Sequence, residues 1–529
     1  MRGLHARSRR VHRKELSAPG GGTGLNAPAE PIRSIVIVGG GTAGWMTAAA
    51  FAKFLPRHCK IRLIESDAIG TVGVGEATIP TIRVYNASLG IDEDDFLRRT
   101  QGTFKLGIEF ANWGALGESY IHGFGRIGRD HGLLGFHQYW LKAFLRGEAA
   151  DLEAYSINTV APRRHKFSRP RPDLPLSPLA QIDYAFHFDA GLYARYLRGF
   201  AEAAGVVRTE AKIIEVRLRE RDDFIDAVRL ESGEWVDGDL FVDCSGFHGL
   251  LIEQTLHAGF EDWTHWLPCD RATAVPCRSV DPLLPYTRST AHGAGWQWRI
   301  PLQHRIGNGH VYSSRHISED EATQVLLDHL DGEPLAEPRT LKFRAGRRRK
   351  LWYRNCVAIG LSGGFLEPLE STAIHMIQSH ISRFLAAFPD QRFCEREIDE
   401  YNRQCAFEME RIRDFIILHY KETRREDTAF WRRCRTMEIP ESLSAKLELF
   451  RASGRIYRDG AELFSHVSWL QVMHGQGVRA SAYHPLVDAL SDEDLGRFLD
   501  NTRSVIERCV DSMPEHAAFI AEHCAATSA

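Results

Sequence analysis

Two glutamates three residues apart, Glu367 and Glu370, stand in the run Phe365-Leu-Glu-Pro-Leu-Glu-Ser-Thr372. A carboxylate held near a reacting centre can give or take a proton. The proline between them breaks regular structure, so the two need not point together, and Glu370 ranks first by its place before Ser371. Far upstream, Gly102-Thr-Phe-Lys-Leu-Gly-Ile-Glu-Phe110 offers a lysine amine. There Phe104, Leu106, Ile108 and Phe110 alternate with Lys105 and Glu109, the pattern of a half-buried strand. Periodicity alone makes Lys105 and Glu109 a solvated pair.

Ser371 reads as an N-cap, because Ile374, Ile377, Ile381 and Leu385 recur at helical spacing before Pro389. Free N–H groups at Thr372 and Ala373 then form an anion site without a basic residue; an ordinary capped helix is the plainer alternative. In Trp296-Gln-Trp-Arg-Ile-Pro301 two tryptophans alternate on a strand, as paired core residues also do. His122 and Phe124, in Tyr120-Ile-His-Gly-Phe-Gly125, could orient and stack on an aromatic ligand, or could simply be structural.

These groups need a scaffold, and the N-terminal region supplies it. Ser34-Ile-Val-Ile-Val38 reads as a strand, and Gly39-x-Gly41-x-x-Gly44 follows it at once and opens a helix. Such glycines allow a tight turn and bring backbone N–H groups to a pyrophosphate. Lys60-Ile-Arg-Leu-Ile64 reads as the second strand, ending at Glu65, where a carboxylate can accept both ribose hydroxyls. Two further strand-to-glycine turns, 239–249 and 355–364, favour FAD over NAD. The chain lacks a second complete fingerprint of the first kind, so the electrons are expected from elsewhere.

The 529 residues suffice for a large core plus a second lobe. A net charge of -3 argues against nucleic acid or an anionic membrane as partner and points to a small molecule. Ten scattered cysteines without a Cys-x-x-Cys pair fit a reducing cytoplasm, and no zinc-ligand spacing appears, so no metal is expected. Residues 34–52 carry no charge, but their glycines mark strand, turn and buried helix rather than a membrane span. Residues 1–30, with Arg2, Arg7, Arg9, Arg10, Arg13 and Lys14 before a Pro/Gly-rich stretch, read as a disordered tail with no apolar secretion segment.

The chain resembles the flavin-dependent tryptophan halogenase family. The matching segments are Gly39-Gly-Gly-Thr-Ala-Gly-Trp-Met46, Gly73-Val-Gly-Glu-Ala-Thr-Ile-Pro80, Phe104-Lys105 with Asn112-Trp113, Trp296 to Pro301, and Phe365 to Thr372, in order over about residues 34–430. The resemblance implies an α/β fold: an FAD-binding Rossmann-like core of the flavin monooxygenase type over residues 31–430, with a mostly helical lobe, 431–529, over the substrate. It implies FAD contacts at Gly39, Gly41, Thr42, Ala43, Gly44, Glu65, Gly75, Glu76, Ala77, Gly360 and Leu366. In that family a separate reductase supplies reduced FAD, which with O2 gives a flavin hydroperoxide. Chloride or bromide then yields hypohalous acid, which passes through a tunnel to the substrate. Lys105 corresponds to the lysine that delivers the halogen, by hydrogen bond or as a haloamine, and Glu370 to the carboxylate beside it. Ser371, Thr372 and Ala373 correspond to the halide site, although tryptophan-specific members carry glycine where Ala373 stands. Trp296 and Trp298 flank the tunnel, and His122 and Phe124 line the substrate pocket.

Beyond about residue 430 the match to tryptophan-specific members thins, and the 463–477 stretch is apolar and aromatic with no clamp for an amino acid's carboxylate and ammonium. The segment between Trp113 and His122 is also short. The expected substrate is therefore an indole, a phenol or a larger aromatic rather than free tryptophan. A flavin hydroxylase and a non-catalytic flavoprotein are the alternatives, since fold alone does not specify activity. A homodimer is expected only on the general frequency of pairs among soluble enzymes.

Overall fold

The strand Ser34–Val38 is buried along all but its first residue, as a strand covered on both faces must be. It runs parallel to Lys60–Glu65 on one side and Leu240–Asp243 on the other. In this computed structural model, which describes residues 30–68 and 75–526, the three strands form the centre of a six-stranded sheet. Val207–Glu210 adds to one edge and Cys356–Ala358, then Trp352–Tyr353, to the other. The tail before residue 30 and Gly73-Val74 lie outside the described residues. The carboxyl ends of the parallel strands bring Gly39, Glu65 and Asp243 to one edge, where such sheets bind ligands. The helix Thr42–Phe54 follows directly.

A second sheet of seven strands carries the tryptophan pair on Gly295–Pro301, between Ile306–Tyr312 and Thr287–His292. Gly107–Ala111 and Ser119–Gly123 complete one edge. Three short strands, Gly75–Ala77, Ala185–Asp189 and Thr103–Lys105, make a separate sheet. The alternating run 102–110 is thus two strands rather than one. It breaks at Leu106, whose N–H donates to the Pro285 carbonyl at 2.8 Å, and Lys105 and Glu109 end in different sheets.

The helix Glu395–Lys421 leads into the remaining helices, and none among the described residues is long and apolar enough to cross a membrane. The last, His516–His523, returns to the core: His516 Nε2 accepts the Phe104 N–H at 3.2 Å, and Phe519 packs edge-on against Phe104 at 5.4 Å. Segments on both sides of residue 430 share one buried apolar cluster.

Candidate active site

Lys105 is 0% exposed. The solvated pair expected from periodicity does not form: Glu109 binds Arg163 and Arg288 instead, at 2.5 and 3.1 Å. Phe104, on the opposite face of the strand, is held by Phe167, Phe519 and His516. Lys105 Nζ donates to Ser371 Oγ at 2.7 Å and lies 5.5 Å from the centre of the Phe124 ring. Burial pulls this amine down from 10.5 to about 7, against the opposing charge of Glu370.

Glu370 is equally buried and ends a single turn, Pro368–Glu370, built on the proline. Its Oε2 lies 2.9 Å from His122 Nδ1, and its Oε1 lies 2.9 Å from His419 Nε2. The second contact is close but off the line of a hydrogen bond; His419 Nδ1 engages the Phe415 carbonyl at 2.9 Å. Burial alone would raise the Glu370 carboxyl, but His122 and His419 outweigh it and hold it at about 2. An anionic carboxylate and an amine poised near neutrality thus share one dry enclosure.

Ser371 is not the helix cap. It takes the left-handed conformation, φ 57°, and turns its hydroxyl to Lys105. The helix spans Ala373–Ala386, with Thr372 at the cap position and no side-chain cap bond. The Thr372 Oγ1 is fully buried and has no partner among the described residues. Uncapped N–H groups and an unpartnered hydroxyl at a helix N-terminus suit a small anion.

The other carboxylate belongs to a different network. Glu367 Oε2 accepts from Trp296 Nε1 at 3.0 Å and from the Tyr420 hydroxyl at 2.5 Å, while Oε1 has no partner among the described residues. Burial pushes this carboxyl up to about 7. His419 and Tyr420, adjacent on one helix, therefore each reach one of the two glutamates. Trp296 and Trp298 share a face of their strand, 6.2 Å apart, and the Trp298 ring has room because Gly309 stands opposite, where a Cβ would fall 2.1 Å from it. His122 faces Phe415 at 5.6 Å and Phe464 at 6.2 Å; those two rings stack at 3.8 Å, with Trp469 edge-on to Phe415. No motif marked His419, Tyr420 or Phe415. Phe464 and Trp469 fall in the aromatic stretch noted from sequence, which names no single residue.

The glycine turn fits a dinucleotide. Gly39 has φ 108°, and a Cβ there would strike the Cys244 carbonyl oxygen. A Cβ on Gly40 would fall 1.5 Å from Glu65 Oε2, whereas Gly41 faces open space at the start of an uncapped helix with no acidic residue in its first turn. Pyrophosphate has both space and donors there. Arg208 takes Glu65 Oε1, which leaves Oε2 beside Gly40. Gly360 abuts Ala43, so Gly39, Gly41, Thr42, Ala43, Gly44, Glu65 and Gly360 gather at one edge. Gly75, Glu76 and Ala77 pair with 187–189, with Gly75 against Ile300 of the seven-stranded sheet and against Leu302 just beyond that strand, and Leu366 is buried beside Glu367.

Residues 34–492 match the tryptophan halogenase family. The chain belongs to that family. The match runs well past residue 430, further than the motifs alone indicated. This halogenase is similar to a tryptophan 6-halogenase from Streptomyces albogriseolus, at 38% identity over 80% of this chain and 82% of the relative. Among solved structures, a flavin-dependent halogenase from Xanthomonas campestris superposes with TM-score 0.91 at 49% identity, covering 94% of this chain and all of that one. Another, from a Brevundimonas species, gives 0.89 at 52%, covering 93% and 99%. The protein is a flavin-dependent enzyme that halogenates an aromatic substrate, with FAD, halide and O2 as its reagents. The hydroxylase and non-catalytic alternatives fall with that membership.

Proposed function

We propose that Lys105 holds the oxidised halogen and Glu370 receives the proton displaced from an aromatic ring, in a pocket that takes indoles, phenols or larger aromatics rather than free tryptophan. The observation that carries this reading is the enclosed amine of Lys105, 2.7 Å from Ser371 Oγ, with an anionic carboxylate beside it. Bound reduced FAD, delivered by a separate flavin reductase, supplies hypohalous acid from O2 and halide. The halide rests on the N–H groups of Thr372 and Ala373 and on the Thr372 hydroxyl. Trp296 and Trp298 wall the passage and keep the ring away from the cofactor.

A neutral amine at Lys105 can accept a hydrogen bond from hypohalous acid or displace hydroxide to form an N–halogen bond. The ring carbon then attacks the halogen and bonds to it, and the electrons of the broken O–halogen or N–halogen bond go to oxygen, which leaves as hydroxide, or to the Lys105 nitrogen. The ring proton passes to Glu370, which is ionised across the neutral range. His122 and His419 hold that carboxylate in place, and Phe124, Phe415 and Phe464 offer faces for stacking. The helical 431–529 segment covers the site through Phe464 and Trp469. The higher identities to halogenases whose names specify no substrate agree with a pocket not built for free tryptophan. Cysteines that form no disulfide support a reducing, cytoplasmic setting.

The test is purified protein with FAD, NADH, an unrelated flavin reductase, O2 and bromide or chloride, against indoles, phenols and free tryptophan. Mass spectrometry reads the halogen isotope pattern. Halogenated indole or phenol supports the proposal; turnover of free tryptophan alone overturns it.

A further inference from the structure

The tryptophan strand has two faces. Trp296 and Trp298 project to one, so Gln297 and Arg299 project to the other. The register sets Arg299 opposite Arg288 on one neighbouring strand and Asn308 on the other, and sets Gln297 opposite Thr290 and His310. A sheet face packed beneath a helix is ordinarily apolar. Here the helix Glu319–Asp328 lies over Ile306–Tyr312, yet the face is polar and lines a half-open cavity of 340 Å³ together with His292, His329 and Asp331.

Two like charges directly opposite each other on antiparallel strands repel. Each guanidinium is neutralised from one side only: Arg288 by Glu109 at 3.1 Å, and Arg299 by Asp331. Arg299 is 6% exposed, and its Nη1 has no hydrogen-bond partner among the described residues. The fully buried His310 donates through Nδ1 to the Ala322 carbonyl at 2.9 Å, so its Nε2 is an acceptor and adds no donor to the face. Burial holds His292 at about 3 and His310 at about 4, so these imidazoles are neutral and the positive charge is that of the arginines. The unmet buried donor on Arg299 marks a missing partner.

We propose that this cavity binds the phosphate or carboxylate group of a small organic molecule, held between Arg288 and Arg299. The planar forks of arginine match such groups. An anion placed there would restore alternation along the row Glu109, Arg288, anion, Arg299, Asp331. The volume lies at the lower end of ligand cavities, roughly 300–1,000 Å³, which suits a compact molecule.

The experiment is isothermal titration of the FAD-loaded enzyme with inorganic phosphate, glycerol phosphate and succinate, at an ionic strength fixed with sodium chloride. The phosphate and carboxylate arms identify which source is preferred. At least one probe is expected to bind saturably, with affinity reduced about tenfold or more in Arg288→Gln and in Arg299→Gln. Should Arg299→Gln not fold, Arg288→Gln, whose side chain is 34% exposed, decides alone. No saturable binding by any probe, or binding that survives these substitutions, overturns the proposal.

Discussion

The indole N–H of Trp296 donates to Glu367 Oε2 across 3.0 Å, tying the centre of the seven-stranded sheet to the turn that presents Glu370 three residues later. The Tyr420 hydroxyl donates to the same oxygen, so the position of the tryptophan and of the turn depends on one acceptor. Glu367→Gln retains an acceptor, whereas Glu367→Ala leaves two buried donors unmet and should cost about 3 kcal/mol in denaturant unfolding. The carboxyl's value of about 7 lies above its ordinary 4.5, so the fold favours the unionised form. That stabilisation is full below about 4.5 and is lost as pH rises through about 7. Wild type should therefore lose up to about 3 kcal/mol relative to Glu367→Gln between those limits. Equal pH dependence of unfolding in the two proteins would show that Glu367 does not titrate as described.

Glu370 has the opposite behaviour. Held at about 2, it stays ionised through the neutral range, and its contribution to stability fades only as pH falls from 4.5 toward 2. Glu370→Gln should lower product formation about a hundredfold in single turnover while FAD affinity and the response to halide stay unchanged. A variant within a few-fold of wild type would remove the carboxylate from the chemistry.

In the proposed function the Thr372 hydroxyl, buried and without a partner among the described residues, contacts the halide. Thr372→Val keeps the shape and removes the donor. Steady-state assays should show the halide KM raised about tenfold, with kcat restored at saturating halide. An unchanged halide KM would place the ion elsewhere.

The nucleotide fold was legible because strand, glycine turn and Glu65 are local in sequence and follow in the order that a parallel sheet demands. Lys105 was not legible from periodicity. Its alternating run crosses from one sheet into another at Leu106, and the groups its amine meets, Ser371 and Glu370, lie far along the chain. Family likeness pointed to it; spacing pointed to solvent. Ser371 misled for a local reason, since a serine ahead of a helix looks like a cap, while its left-handed backbone is set by the preceding proline turn. His419 and Tyr420 carry no signal beyond a helical phase, because their roles arise only when that helix meets the 367–370 turn.

The most direct measurement is single-turnover halogenation by Lys105→Met, which keeps an apolar stem and loses the amine, alongside FAD affinity measured on the same protein. FAD binding should stay within about twofold of wild type, while halogenated product falls about a thousandfold or more, the scale of losing a group that acts on the reacting atoms. Halogenation at more than about a tenth of the wild-type level, with FAD bound normally, would contradict delivery by this amine.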